Sequence, residues 1–188
     1  SDRLHALYVL ALGVGLRKGE VLALSWDDVD LENRTLHVRS TLQRLRWQGM
    51  TISEPKTLRS RRRLPLPQFC VEALLEHKNR QALEEETSDY WVNELNLVFT
   101  TPIGTPLDPR NLTRHFSDLC KRAEVPQLRF HDLRHTCASL LFAQGVDART
   151  IMDTLGHSMI GTTMNLYTHV MPVTRRQAAD RMDEALGS

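Results

Sequence analysis

The spacing of apolar residues changes from a helical period to a strand period at Asn33, and it returns to a helical period after Pro67. Before the change, apolar residues within positions 4–14 recur at i, i+3, i+4 and i+7, which is typical of one face of a buried helix. A short second helix is predicted from about Arg17 to Leu24. Because helical patterns enclose one brief stretch of strand character, we expect a mainly α protein with a small antiparallel β-sheet, an α+β fold.

The stretch with strand character contains three predicted strands. Thr35–Val38 and Thr41–Leu42 are the first two, Gln48–Gly49 is predicted to form a hairpin turn, and Arg62–Leu66 is the third. We expect these strands to form one sheet inserted into a helical protein. The connection that leads into the third strand carries the sequence Pro-Lys-Thr at positions 55–57 and then a run of basic residues.

Turn and capping residues divide the remainder of the chain into further elements. Asp108 and Asp147 are expected to cap helices, and Gly145 and Gly156 are expected to end them. The predicted elements are a helix that opens near position 71, a strand over 97–100, and helices from 109, over 131–144, over 147–156 and over 158–167. No internal repeat or low-complexity linker interrupts them, so a single domain is predicted.

The composition is that of a globular protein. A chain of 188 residues with 41% hydrophobic and 25% charged residues is large enough to bury one core. No stretch approaches the roughly 18 to 20 apolar residues of a membrane span, and positions 1–5 do not resemble a signal peptide. The three cysteines include no C-x-x-C pair, so they are expected to be buried thiols in a reducing compartment. We therefore expect a cytoplasmic protein with no membrane partner.

The sequence does not predict a metal site. His131 and His135 share one face of a predicted helix, but no glutamate completes an H-E-x-x-H motif and the spacing indicates no third ligand. The sequence also lacks a G-x-x-x-x-G-K-[ST] loop and an acidic metal cluster. A zinc-dependent hydrolase is therefore disfavoured, and we expect no cofactor.

Basic residues are concentrated in one segment although the net charge is only +1. Between Arg34 and Arg63, nine basic residues stand against one acid, Glu54. A solvated hairpin is one explanation of such a run, but one sign of charge in one segment favours a surface that contacts the phosphate backbone of nucleic acid. The residues predicted to contact DNA are Arg44, Arg46, Arg59, Arg61, Arg62 and Arg63.

Two arginines in separate motifs are candidates to bind a phosphate. Arg134 lies one turn after His131 on a predicted helix, where it is expected to face away from the apolar side of that helix. An isolated arginine of this kind would more often form a surface ion pair with a carboxylate such as Asp132. Arg17 opens a short helix in which Glu20 is placed to pair with a basic group. Two rigid arginines on one phosphate would stabilise the extra charge of a five-coordinate phosphorus.

Tyr167 is the candidate nucleophile beside these phosphate-binding groups. It stands ten positions after His157, which itself follows Arg134 by 23 positions. A phenol with a pKa near 10 is a poor nucleophile at neutral pH unless cationic neighbours stabilise the phenolate. A tyrosine nucleophile would keep the energy of the broken DNA bond in a phosphodiester to the protein, so that neither a nucleotide nor a metal would be needed.

Five motifs together resemble the catalytic domain of the tyrosine recombinases, the phage-integrase family, over nearly all 188 residues. Each motif is weak alone, and their joint order carries the resemblance. They are G-L-R-x-x-E at 15–20, P-K-T at 55–57, H-x-L-R-H at 131–135, L-G-H at 155–157 and Y-T-H at 167–169.

The resemblance assigns phosphate binding to three residues and support to two more. It implies that Arg17 and Arg134 bind the non-bridging oxygens of the scissile phosphate and that His157 donates a hydrogen bond to it. Glu20 is expected to support the arginine and histidine shell without direct contact to the reacting atoms, and His135 is a further supporting residue.

The resemblance also assigns the proton transfers and the nucleophile. It implies that Tyr167 forms a 3′-phosphotyrosyl link, that Lys56 protonates the leaving 5′ oxygen, and that His131 assists proton transfer near the nucleophile. Arg59 and Arg61 lie close to Lys56 in the sequence. Lysine is preferred as the acid because arginine effectively cannot release a proton.

The resemblance further implies domains and partners. Residues 1–171 are expected to form the catalytic domain and residues 172–188 a tail helix that either folds back on its own core or docks on a neighbouring protomer. The family's N-terminal core-binding domain is expected to be absent from this chain. The implied partners are double-stranded DNA at specific recombination sites, three further copies in a tetramer on DNA, and an accessory DNA-bending protein, all in the bacterial cytoplasm or nucleoid.

The leading function is thus a site-specific recombinase of the integrase type, encoded by a phage or another mobile element. A chromosome-dimer resolvase and a type IB topoisomerase-like relaxing enzyme share the same chemistry and remain open. A non-catalytic DNA-binding regulator is the alternative from another class. The complete set of motif residues disfavours it, because a decayed site would be expected to lose members.

Overall fold

The computed structural model describes residues 2–54 and 61–156 and, near the C-terminus, residues 180, 182–184 and 186. Its elements follow the predicted helix–strand–helix order. The helices are α1 (His5–Gly13), α2 (Lys18–Leu22), α3 (Gln68–Thr87), α4 (Pro109–Arg122), α5 (Phe130–Ala143) and α6 (Ala148–Leu155). The strands are β1 (Val29–Asp30), β2 (Thr35–Val38), β3 (Thr41–Leu45), β4 (Gly49–Ser53) and β5 (Arg62–Pro65).

The strands form two antiparallel sheets, so the prediction of one sheet is wrong. One sheet has the order β1-β2-β5, with Leu36 of β2 opposite Leu64 of β5, and the other is the β3–β4 hairpin alone. Because β2 is already paired on both edges, with β1 and with β5, β3 has to pair with β4. The predicted hairpin is confirmed, but its turn consists of residues 46–48, and Gly49, at a φ of +72°, is the first residue of β4.

The predicted strand over residues 97–100 is also corrected. Within the described residues, this stretch forms two isolated bridges, between Ser25 and Leu97 and between Thr100 and Pro106. Because its two ends pair with different segments, no ladder of consecutive pairs develops. The stretch nevertheless belongs to the core, since Phe99 is fully buried.

The core is centred on α1, which packs against both α3 and α5. Leu7 and Leu10 of α1 are completely buried, as the helical period predicted. The close contact with α3 depends on Gly13, because a Cβ there would lie 2.6 Å from Sγ of Cys70. The three cysteines are free and buried, as expected, and burial raises the pKa of Cys70 to about 12.

The predicted helix ends are confirmed at α4, α5 and α6. The side chain of Asp108 accepts a hydrogen bond from the amide of Arg110 at the start of α4, and Asp147 accepts one from the amide of Thr150 at the start of α6. Gly145, after α5, and Gly156, after α6, have the positive φ that favours glycine. In the described part of the chain, no helix is both long and apolar enough to cross a bilayer.

A second apolar cluster joins α5 to α6. Cys137 and Ala138 of α5 are buried against Ile151 and Leu155 of α6. This packing holds the C-terminal end of α6 beside α5 and beside the loop that precedes α2. The chain therefore arrives at position 157 from a fixed helix end.

Candidate active site

Glu20 is the buried centre of the candidate site. The start of α2 is a capping box, in which the Arg17 amide donates to Oε2 of Glu20 at 2.9 Å. The Arg17 guanidinium also donates to Oε1 of Glu20, at 2.7 Å. The carboxylate of Glu20 thus binds both the backbone amide and the guanidinium of Arg17. Glu20 itself is only 5% exposed, so water hardly reaches this carboxylate.

A second arginine closes the other side of the same carboxylate. Arg62 of β5 donates from Nη1 to Oε1 of Glu20 at 3.1 Å and from Nη2 to Oε2 at 3.0 Å, the bidentate geometry of a strong ion pair. Burial by itself would raise the pKa of Glu20. The hydrogen bonds and charges of Arg62 and Arg17 outweigh that effect and lower the pKa to about 2. Glu20 is therefore ionised at every physiological pH.

Arg134 lies inside the protein. The sequence had predicted that it would lie on the side of α5 opposite the apolar face. Arg134 is 1% exposed, whereas Leu140 of the same helix is 53% exposed. The guanidinium donates to the carbonyl of Gly15 at 2.6 Å and to the carbonyl of Leu155. These bonds compensate for its burial, which explains how a charged residue occupies the inner face of α5. Asp132, the carboxylate suggested as its surface partner, pairs instead with Arg129.

Burial, followed by the charge of Arg17, lowers the pKa of Arg134 to about 9. This value is still above neutral pH, so the guanidinium remains protonated. Three guanidinium groups, those of Arg17, Arg62 and Arg134, thus lie near the one carboxylate of Glu20, and the excess positive charge there favours an anion.

Gly15 allows the loop before α2 to approach α6. Its φ is +66°, and a Cβ at this position would lie 2.3 Å from Cδ2 of Leu155. The carbonyl of the same residue accepts the hydrogen bond from Arg134. The glycine of the G-L-R-x-x-E motif is therefore required by both its backbone conformation and its contact.

His131 and His135 lie on one face of α5, as predicted from their spacing. Their ring centroids are 4.7 Å apart and the rings are nearly perpendicular. Burial, and after it the charges of His135, Arg134 and Arg17, lowers the pKa of His131. A neutral imidazole can accept a proton, which is what a residue assisting proton transfer requires. Nδ1 of His135 is buried and has no hydrogen-bond partner within the described residues.

The predicted DNA-contacting arginines fall into two groups. The side chains of Arg44, Arg46, Arg61 and Arg63 are exposed; Arg44 pairs with Asp108, and Arg46 stacks over the Trp47 ring at 5.3 Å. Arg62 is a correction, because it is 8% exposed and bonded to Glu20. Its guanidinium is not available to a DNA backbone.

A sequence signal could have separated Arg62 from its neighbours. On a strand, every second residue faces the same side, which places Arg62 with Leu64 and Leu66. Those two residues are buried core leucines, whereas Arg63 and Pro65, which alternate with them, are exposed. The role of Arg62 in holding Glu20 was nevertheless missed, because the strand pattern does not show which carboxylate lies next to Arg62 in the folded core.

Four predicted site residues lie outside the described residues. They are Lys56, Arg59, His157 and Tyr167. Of the predicted catalytic residues, the structure therefore brings together Arg17, His131 and Arg134, with Glu20 and His135 beside them. In the described ranges, no group of three or more histidine, cysteine, aspartate or glutamate side chains is arranged to hold a metal ion.

Comparison with known proteins identifies the family of this domain. The model of the phage integrase family matches residues 1–173. A tyrosine recombinase XerC-like protein of Caldanaerobacter subterraneus is 38% identical over 98% of this chain and 50% of its own length. The ICEBs1 integrase of Bacillus subtilis is 31% identical over 95% of this chain and 48% of its own length.

Solved structures agree with this assignment. The Tn1549 transposon integrase in complex with transposon right end DNA superimposes with a TM-score of 0.79 at 26% identity, over 99% of this chain and 59% of that one. This chain belongs to the phage integrase family of tyrosine recombinases, which are DNA breaking–rejoining enzymes. It spans about half the length of the curated relatives that it matches.

Proposed function

We propose that this chain catalyses DNA strand cleavage and rejoining in a site-specific recombinase of the integrase type, through a 3′-phosphotyrosyl intermediate. The observation that carries the proposal is the placement of two arginines at the end of α6. Arg17 donates to the carbonyl of Gly156 at 2.8 Å, and Arg134 donates to the carbonyl of the preceding Leu155. The two guanidinium groups are thereby bound to neighbouring residues of the chain, and His157 is the next residue in the sequence.

The charges of the described residues suit a phosphodiester substrate. Arg17, Arg62 and Arg134 against the single carboxylate of Glu20 leave two positive charges in excess. A phosphodiester carries one negative charge, and its five-coordinate transition state carries a second. Fixed cations that match the developing charge lower the barrier because they need no reorganisation during the reaction.

Proton transfers complete the proposed reaction. Tyr167 attacks the scissile phosphate and loses its phenolic proton with help from the neutral imidazole of His131. Lys56 gives a proton to the 5′ oxygen that leaves, and His157 donates a hydrogen bond to the phosphate. Reversal of these steps, with a 5′ hydroxyl from another strand as the attacking group, rejoins the DNA.

The proposed substrate is double-stranded DNA at specific recombination sites. We propose that the exposed arginines Arg44, Arg46, Arg61 and Arg63 contact its backbone, and that Arg59, which lies outside the described residues, does so as well. Solved relatives bound to DNA support this partner. Recombination between two duplexes engages four protomers, so we propose a tetramer on DNA, assisted by an accessory bending protein, in the bacterial cytoplasm or nucleoid.

We propose that the tail, residues 172–188, docks on a neighbouring protomer. Met182 and Leu186 stand one helical turn apart and are 58% and 75% exposed. An apolar stripe that its own protomer leaves uncovered favours a partner surface over the protein's own core.

Covalent trapping tests the proposed reaction directly. Nicked suicide duplexes that tile the genomic DNA on both sides of the gene would be incubated with the protein, and any covalent adduct mapped by peptide mass spectrometry. An adduct at Tyr167 is expected, and Tyr167→Phe should abolish it while DNA binding persists. An adduct at Tyr8 or Tyr90, or an undiminished adduct in the phenylalanine variant, would contradict the assignment.

A further inference from the structure

Three consecutive backbone carbonyls at the C-terminal end of α6 each accept a hydrogen bond from a different arginine. The donors come from the loop before α2, from β5 and from α5. The pairs are Arg62 Nε to Thr154 at 2.8 Å, Arg134 Nη2 to Leu155, and Arg17 Nη2 to Gly156 at 2.8 Å. The last turn of a helix leaves its carbonyls without helical partners and carries partial negative charge, so three guanidinium groups stabilise it strongly.

Arg62 differs from the other two arginines because the proposed function gives it no contact with DNA. Its side chain is 6% exposed and bonds the Glu20 carboxylate and the Thr154 carbonyl at once. Arg17 is more exposed, with 36% of its side chain accessible, and bonds the same carboxylate and the neighbouring Gly156 carbonyl. Arg62 and Arg17 thus bind the same carboxylate, with Arg62 on its buried side and Arg17 on its more exposed side.

We propose that Arg62 is a positioning residue for strand cleavage: through Glu20 it orients Arg17, and through Thr154 it fixes the end of α6 from which the chain continues to His157. This inference rests on the proposed function. Arg62 itself does not touch the phosphate. It sets the direction in which Arg17 presents its donors, and it sets the position of the end of α6, which His157 follows in the sequence.

The charge arrangement explains why a neutral core residue could not replace Arg62. Glu20 faces Arg17 and Arg62, and the charge of Arg134 also acts on it. With Arg17 alone, the buried carboxylate would keep one partner and lose two of the four hydrogen bonds that it accepts. Burial would then raise the pKa of Glu20, and a protonated Glu20 would hold Arg17 less firmly.

The test compares adduct formation in the purified protein and in four variants. These are Arg62→Met, Arg62→Lys, Glu20→Gln and the double variant Arg62→Met/Glu20→Gln. Single-turnover rates of Tyr167 adduct formation would be measured on the suicide duplex that wild-type protein cleaves, across pH 5 to 9, with DNA affinity and urea stability measured in parallel. Arg3→Met is the matched control, because Arg3 pairs with the partly buried Glu84 at 2.7 Å but bonds no arginine or carboxylate of the site.

Arg62→Met is expected to slow adduct formation by roughly 10- to 100-fold with DNA affinity unchanged. Its rate should fall further as the pH is lowered, because Glu20 now titrates within the measured range. Adding Glu20→Gln should remove that pH dependence. Arg62→Lys should recover part of the rate, since a charge remains but the bidentate geometry is lost. Arg3→Met should lower stability and leave the adduct rate unchanged.

A folded methionine variant with the wild-type rate and pH profile would overturn the inference. If that variant does not fold, the lysine variant decides the matter: slower adduct formation supports positioning, and a wild-type rate overturns it. Failure of the proposed function is distinguishable, because it would leave wild-type protein itself without an adduct at Tyr167.

Discussion

Arg62 donates two hydrogen bonds to the carboxylate of Glu20, 42 positions earlier in the chain, and so joins β5 to α2 through a buried ion pair. The pair occupies the place where the sheet, the loop before α2 and the end of α6 meet. A buried pair of this kind is costly to break, because removing one member leaves an uncompensated charge away from water. The site and the stability of the domain are therefore coupled at Glu20.

Substitution of Arg17 or Arg134 should act mainly on the transition state. Arg17→Ala is expected to slow single-turnover adduct formation by about 10²- to 10³-fold, the cost of one preorganised charged donor, or roughly 3 to 4 kcal/mol. Lysine should rescue only partly, because the bidentate fork is lost. Arg134→Ala should in addition lower the stability, since the carbonyls of Gly15 and Leu155 lose their donor.

Arg149→Ala is the control for both arginine variants, because Arg149 is exposed and pairs with Asp153 on the surface of α6. Its adduct rate should match that of the wild type. An unchanged rate of adduct formation in Arg17→Ala or Arg134→Ala would show that the substituted arginine does not act in the site.

Glu20 should make the stability of the domain depend on acidity. Its pKa in the folded protein is about 2, below the ordinary value of 4.5. A lowered pKa contributes stability that is fully present above the unfolded value and is lost as the pH falls toward the folded value, here from about 4.5 to about 2. The contribution is roughly 3 kcal/mol.

Urea unfolding at a series of pH values between 7 and 3 measures this dependence. Glu20→Gln should be less stable than wild type at pH 7, and its stability should fall less as the pH is lowered. Glu72→Gln, on the exposed side of α3, is the control and should behave as wild type. Equal acid sensitivity in Glu20→Gln and wild type would show that the buried carboxylate is not the group responsible.

Gly15→Ala should destabilise the domain more than Gly49→Ala does. Both glycines have positive φ, which costs an alanine about 1 to 2 kcal/mol. A Cβ at Gly15 would in addition collide with Leu155, whereas a Cβ at Gly49 meets nothing within 4 Å. Urea unfolding of both variants isolates the cost of the collision. Similar losses of stability in both would mean that Leu155 yields without cost.

Cleavage should not depend on a divalent cation. In the proposed reaction, arginines supply the positive charge that a metal would otherwise bring to the phosphate, and the phosphotyrosyl bond stores the energy for rejoining. Adduct formation measured with and without excess chelator should proceed at the same rate. Activity that disappears with chelator and returns on addition of magnesium would show the mechanism to be wrong.

Deletion of residues 172–188 should weaken assembly on DNA without unfolding the domain. The exposed Met182 and Leu186 are expected to cover a neighbouring protomer in the assembled state. Sedimentation on DNA would show smaller complexes, and thermal unfolding of the free protein would be nearly unchanged. A large drop in the melting temperature would instead show that the tail belongs to the core of its own protomer.

The sequence was sufficient for the features that depend on local chemistry and motif order. Helix ends at Asp108, Asp147 and Gly156 were predictable because a capping side chain or a left-handed glycine acts on its own neighbours. The family was predictable because five short motifs keep one order along the chain. The sequence also predicted that Glu20 pairs with a basic group, and that group is Arg17, the residue at the start of α2.

Tertiary structure decided what depends on long-range contact. Strand β3 pairs with β4 because both edges of β2 are occupied, and a local strand pattern does not contain that information. Arg134 and Arg62 are buried because partners far away in the sequence, the carbonyls of Gly15 and Leu155 and the carboxylate of Glu20, compensate for the loss of water. A buried charge is tolerated only where such partners converge, and that convergence exists only in the folded chain.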